Sequence, residues 1–130
     1  MAELSLTHTF TASDEALWAL VAFDKLADWH PLVPNIAMSE DGAVRTMGFG
    51  PMTAVERLVE QNERSYSYIV EKSPMPVKDY KATWTVAAAE GGSTLTIAAS
   101  YEPKGPAAVA DELLNAFFAA AFKALEGELA

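Results

Sequence analysis

The chain has no cysteine among its 130 residues. Disulfides, thiolate metal sites and cysteine nucleophiles are therefore excluded. Basic residues are scarce. Nine Lys and Arg stand against eighteen Asp and Glu, which leaves a net charge of −9. Nucleic-acid binding needs a basic patch, and none is visible. The only two histidines, His8 and His30, are not at metal-ligand spacing, and neither has an acidic cluster beside it. No metal and no cofactor are expected. Long apolar runs are also missing. The best candidate, residues 116–121, is far too short to cross a bilayer. The N-terminus shows no basic segment leading an apolar run, so no signal peptide is read there. These absences predict a soluble, cytoplasmic protein with no nucleic-acid partner and no membrane insertion.

What is present is enough for one core. Hydrophobic residues make up 51% of the chain, and residues 1–130 read as a single domain without linker or repeat. Leu4, Leu6, His8 and Phe10 alternate along one face of a first strand. Ser13 precedes two acids and an apolar helical face of Leu17, Trp18, Leu20 and Val21. Residues 23–29 read as a second short helix, ended by His30-Pro31. Period-two patterning follows. Met52, Ala54, Glu56 and Leu58 share one face; Tyr66, Tyr68 and Val70 share the next; then come Tyr80, Ala82, Trp84 and Val86, and finally Leu95, Ile97, Ala99 and Tyr101. The Asp41-Gly42 step and Gly91-Gly92 mark hairpin turns. Residues 48–51 and 73–77 are Gly- or Pro-rich loops expected at one rim. After Pro103 and Pro106 a long helix runs over residues 107–129, with Val109, Leu113, Phe117, Ala121 and Leu125 as its apolar stripe. Strand, two short helices, about six strands and a long helix make an α+β arrangement with one antiparallel sheet.

Several residues carry chemistry. His30 stands in a loop between Trp29 and Pro31. It suits general acid/base work near neutral pH, or it closes a helix end by bonding a backbone carbonyl. His8 reads as a hydrogen-bonded core histidine. Glu56 falls on an inward face, where a carboxylate needs a partner. Arg45, one strand earlier, or a tyrosine hydroxyl can supply it; a shifted register would instead turn Arg57 inward. Tyr66, Tyr68 and Tyr80 each bring an apolar body and a polar tip to inward faces, which suggests a lined interior. Gly48-Phe49-Gly50-Pro51 lacks the lysine and helix of a phosphate loop.

The order of elements, together with Leu17-Trp18-Ala19-Leu20-Val21, Phe23-Asp24-Lys25, Trp29-His30-Pro31, Gly42-Ala43-Val44-Arg45, Glu56-Arg57-Leu58, Tyr66-Ser67-Tyr68, Pro74-Met75-Pro76-Val77 and Tyr80, resembles the START-like (SRPBCC, birch-pollen-allergen-like) superfamily. Within it, the chain is most similar to the bacterial polyketide cyclase/dehydrase-like group, whose relatives include plant abscisic acid receptors and methanol-oxidation accessory proteins. The resemblance implies a helix-grip fold: a curved antiparallel sheet of about seven strands wrapped around the C-terminal helix, with an apolar cavity between. It implies ligand contact at Glu56 and Tyr80, and rim loops at 48–51 and 75–77. The lysine that anchors the hormone's carboxylate in the receptors falls near Pro34, so hormone binding is not implied.

The leading expectation is a binder of a small apolar or aromatic molecule. Phe23, Trp29, Leu32, Met47, Leu58, Tyr66, Tyr68, Tyr80, Trp84, Ile97, Leu113, Phe117 and Ala121 are expected to line its cavity, with Arg45, Glu56 and His30 orienting polar groups. One alternative is a cyclase or dehydratase on a polyketide-like or aromatic substrate, with His30 or Glu56 moving a proton. Another is an accessory protein acting through its surface around a nearly filled cavity. Self-association into a homodimer is compatible with each.

Overall fold

The computed structural model describes residues 2–49 and 51–130. Strand β1 (Ala2–Phe10) alternates half-buried and exposed side chains, as its sequence does. Helix α1 (Asp14–Val21) follows, with the Ser13 hydroxyl accepting from the Ala16 N–H at 3.1 Å. That cap satisfies an otherwise orphaned donor. The expected second short helix is a single 3₁₀ turn at Leu26–Asp28. Pro31 lies too close for an α-helix to continue. Six strands come next: β2 (Asn35–Met38), β3 (Val44–Phe49), β4 (Met52–Gln61), β5 (Ser65–Lys72), β6 (Val77–Ala89) and β7 (Gly92–Pro103). Helix α2 (Ala107–Leu129) closes the chain over the expected range.

All neighbouring strands pair antiparallel, in the order β1-β7-β6-β5-β4-β3-β2. The sheet curves around α2 in a helix-grip arrangement. The β6–β7 turn depends on glycine. Gly91 sits at φ +78°, and a Cβ on Gly92 would meet the Phe10 carbonyl oxygen at 1.9 Å. Asp79 is the one non-glycine residue with positive φ (51°) among the described residues. It marks a bulge, because two residues of β6, Asp79 and Tyr80, face only Tyr101 of β7. Val77 and Tyr80 are both buried on either side of it, while Lys78 and Asp79 are exposed.

The core lies between the concave sheet face and α2. Trp84, Ile97, Leu95 and Phe118 are at most 1% exposed, and the Trp84 and Phe118 rings meet edge to face at 6.3 Å. The inward stripe of α2 is Ala110, Leu114, Phe118, Ala121 and Leu125. This corrects the expected stripe: Val109 and Leu113 are exposed (48% and 43%), and Phe117 is half-buried. The reason is geometric. A strict spacing of four gains about 40° per step around an α-helix, so one straight row cannot stay on one face. Met52 is also turned outward, at 53% exposure, although Ala54 and Glu56 beyond it face in.

Phe118→Ala is expected to lower stability by about 3–5 kcal/mol, the cost of emptying a packed aromatic site. Leu113→Ala should stay within about 0.5 kcal/mol, as for other surface changes. Urea unfolding of the two variants measures both. Equal losses would mean that α2 is rotated differently from the arrangement above.

Candidate functional site

The site begins with a cross-strand pair. Arg45 on β3 stands directly opposite Glu56 on β4. The Arg45 Nε donates to Glu56 Oε1 at 2.7 Å, and Nη2 lies 2.6 Å from the same oxygen. Nη1 donates to the Phe23 carbonyl at 2.7 Å. The guanidinium also lies against two rings, 4.3 Å from the Phe23 centroid and 4.7 Å from that of Tyr68. Arg45 is 1% exposed and Glu56 8%. A guanidinium this deep survives only with its charge matched and its N–H groups used. Burial alone favours the neutral form, but the Glu56 carboxylate, helped by Tyr66 and Tyr68, leaves the Arg45 pKa raised.

Tyrosines surround the pair. Burial, reinforced by the Glu56 charge, raises the Tyr68 and Tyr80 hydroxyls well above the ordinary phenol range, so both stay protonated. Tyr68 accepts from Trp84 Nε1 at 3.1 Å. Tyr66 donates to the Val21 carbonyl at 2.6 Å and stacks on Trp84. Tyr80 makes no side-chain hydrogen bond among the described residues, and neither does Glu56 Oε2. Arg64 Nε, 3.5 Å from Asp14 Oδ2, is the one side-chain polar atom there that is sealed from solvent without a hydrogen bond. The free oxygens of Glu56 and Tyr80 therefore meet open space.

That space is a hollow of about 40 Å³ bounded by Arg45, Met47, Phe49, Ala54, Glu56, Tyr68, Val70, Tyr80, Leu114, Phe117 and Phe118, with Ser73, Pro74 and Met75 from the β5–β6 loop. A single water needs roughly 10–15 Å³ by this measure, so the hollow holds a few connected heavy atoms. Phe49, Pro74, Met75 and Phe117 also border an outer apolar depression with Pro31, Leu32 and Pro34. The hollow and the outer depression thus meet at these four side chains.

The expected residues divide into layers. Arg45, Met47, Glu56, Tyr68, Tyr80 and Phe117 line the hollow. Phe23, Tyr66 and Trp84 stand behind it and hold Arg45 and Tyr68. Ile97 and Ala121 are fully buried core, and Leu58 is half-buried beside its strand partner Tyr68. Trp29 donates its indole N–H to the Leu20 carbonyl and stacks on His30. Leu32 (49% exposed) lies in the outer depression, and Leu113 faces solvent, so neither is a cavity wall. Leu114 and Phe118 take the place expected of Leu113, one residue along α2 and the next turn. Ala54 and Val70 were on inward faces by alternation, and the Gly/Pro-rich loops signalled Phe49, Pro74 and Met75. Gly50, part of the expected 48–51 loop, lies outside the described residues.

Both histidines have structural partners. The Leu32 N–H donates to His30 Nδ1 at 3.1 Å, so the ring proton sits on Nε2, which donates to the Phe117 carbonyl at 3.1 Å. The ring stacks on Phe117 with centroids 4.3 Å apart. Both nitrogens are used and the ring does not border the hollow, so His30 is not placed to move a proton there. His8 is not a core residue. Its side chain is 36% exposed, it pairs with Glu126 of α2 and it stacks on Phe122. Edge position explains this, since β1 has only one neighbouring strand. Among the described residues no group of three or more His, Asp or Glu side chains could hold a metal ion. No helix there is long and apolar enough to cross a membrane.

Comparison with known proteins places this geometry. The family model for "Polyketide cyclase / dehydrase and lipid transport" matches residues 1–130. Among solved structures, the protein XoxI from Bacillus cereus is 28% identical, with a TM-score of 0.93 over 99% of this chain and 96% of that one. An uncharacterised protein from Bacillus thuringiensis is 27% identical, with a TM-score of 0.92 over 98% of both chains. A START superfamily protein from Mycobacterium smegmatis shares 16% identity and the fold, with a TM-score of 0.81 over 98% of this chain and 96% of that one. No curated protein sequence matches.

The His30 clasp generates a pH dependence. Burial lowers the ring pKa from 6.5 to about 4, partly offset by the bond to Phe117. Between those values the unfolded chain binds a proton that the folded one refuses, so stability falls as pH drops through the window. His30→Gln is expected to remove this term. On going from pH 7 to 4 the wild type should lose more stability than the variant, by on the order of 2 kcal/mol. Urea midpoints across that range test it; parallel curves would mean the ring is protonated as readily in the fold as outside it.

Proposed function

The chain belongs to the polyketide cyclase/dehydrase and lipid transport family and has a START-like fold; from that premise we propose that it binds a small, largely apolar molecule between the sheet and α2. The observation that carries this reading is the hollow itself: apolar walls, an outlet and unpaired oxygens at its floor. Natural ligand sites combine those features. The ligand's first few heavy atoms occupy the hollow, and any larger body extends outward past Phe49, Met75 and Phe117. Turnover is the less supported variant. His30 is spent on two backbone groups, which leaves Glu56, tied to Arg45, as the one candidate for proton transfer. The small volume favours a second reading, an accessory protein acting through its surface around a nearly filled interior.

Toluene titrated into the protein should shift NMR signals of Ala54, Val70 and Leu114 methyl groups and saturate near one-to-one. Ala54→Leu, which fills the hollow with three more carbons, is expected to abolish that saturation while leaving stability within about 1–3 kcal/mol, the range for overpacking. Unchanged spectra for the wild type would leave the surface-acting reading as the better account.

A further inference from the structure

The geometry points to a neutral hydroxyl-bearing ligand, such as a primary alcohol or phenol, and to exclusion of carboxylates. This rests on the binding reading above and adds the chemistry of the ligand's polar end.

Arg45 is the cation nearest the hollow's floor, and in isolation it would attract an acid. Three of its five N–H groups are committed elsewhere. Nε and Nη2 go to Glu56 Oε1, and Nη1 goes to the Phe23 carbonyl. The Phe23 and Tyr68 rings also lie against the guanidinium. The pair is neutral as a unit. Glu56 lines the hollow, and its second carboxylate oxygen is an acceptor with no partner among the described residues. Tyr80 lines the same hollow, and its unpaired hydroxyl can donate. A hydroxyl group satisfies both. It donates to Glu56 Oε2 and accepts from Tyr80. A carboxylate satisfies only Tyr80, and it brings a second negative charge against Glu56 in a site of low dielectric, where like charges repel strongly. A bare hydrocarbon leaves both oxygens without a bond, which a site built for hydrogen bonding penalises.

Toluene, benzyl alcohol and benzoate have one ring each and differ only in the head group. Benzyl alcohol is expected to bind about tenfold more tightly than toluene, and benzoate at least tenfold more weakly than benzyl alcohol. Glu56→Gln should reverse the order of the last two, because it leaves the Arg45 charge uncompensated. Tyr80→Phe should bring benzyl alcohol down toward toluene, and it tests the inference even if Glu56→Gln fails to fold. Benzoate binding to the wild type as tightly as benzyl alcohol would overturn the inference while leaving the binding reading intact. Failure of all three molecules to bind would remove both.

Discussion

A single buried ion pair organises this molecule's interior. Arg45 and Glu56 sit opposite each other on adjacent strands, and the aromatic side chains are arranged around the charge they bury. Phe23 comes from the loop after α1, Tyr68 from β5, and both lie against the same guanidinium. The Phe23 carbonyl is held by Arg45, which ties the irregular segment after α1 to the middle of the sheet. Removing one partner would leave the other charged and buried, a loss of about 3–5 kcal/mol in comparable settings. Replacing both with apolar residues need not cost stability. The pair is thus better explained by the polar floor it gives the hollow than by stability.

Around that floor, bulky side chains are used in two ways. Tyr66, Trp84 and Phe118 pack against one another behind the hollow and fix its back wall. Phe49, Met75 and Phe117 stand at its outlet, where one side of each is free of protein. His30 links these zones. One ring nitrogen holds the Leu32 amide beside the outer depression, and the other holds the Phe117 carbonyl in α2. The outlet's two sides are therefore tied through one imidazole, and its shape depends on that ring staying neutral.

Much of the fold was legible in the sequence because its signals are local. Prolines mark the start of α2 and glycines the hairpins, and period-two alternation places Glu56, Tyr68 and Tyr80 inward. The candidate site was legible only in part. Alternation says which face a residue takes but not how far along the strand the interior stays open, so Tyr66, Trp84 and Ile97 could not be told from the lining. The α2 rotation was misread because a row at spacing four looks straight on paper and winds on a helix. His30 meets a carbonyl 87 positions away, a contact with no sequence period to announce it.

The bulge at Asp79 bears on the ionic character of the outlet. In an uninterrupted ladder, with Tyr80 facing in, the alternation would place Lys78 inward and Val77 in solvent. The extra residue slips the phase by one, so Val77 is buried and the Lys78 ammonium stays outside. Without it, a lysine side chain would be turned into the interior that holds the Arg45–Glu56 pair. One left-handed aspartate therefore keeps the interior electrically balanced, and it does so by counting residues, with no contact to either charge.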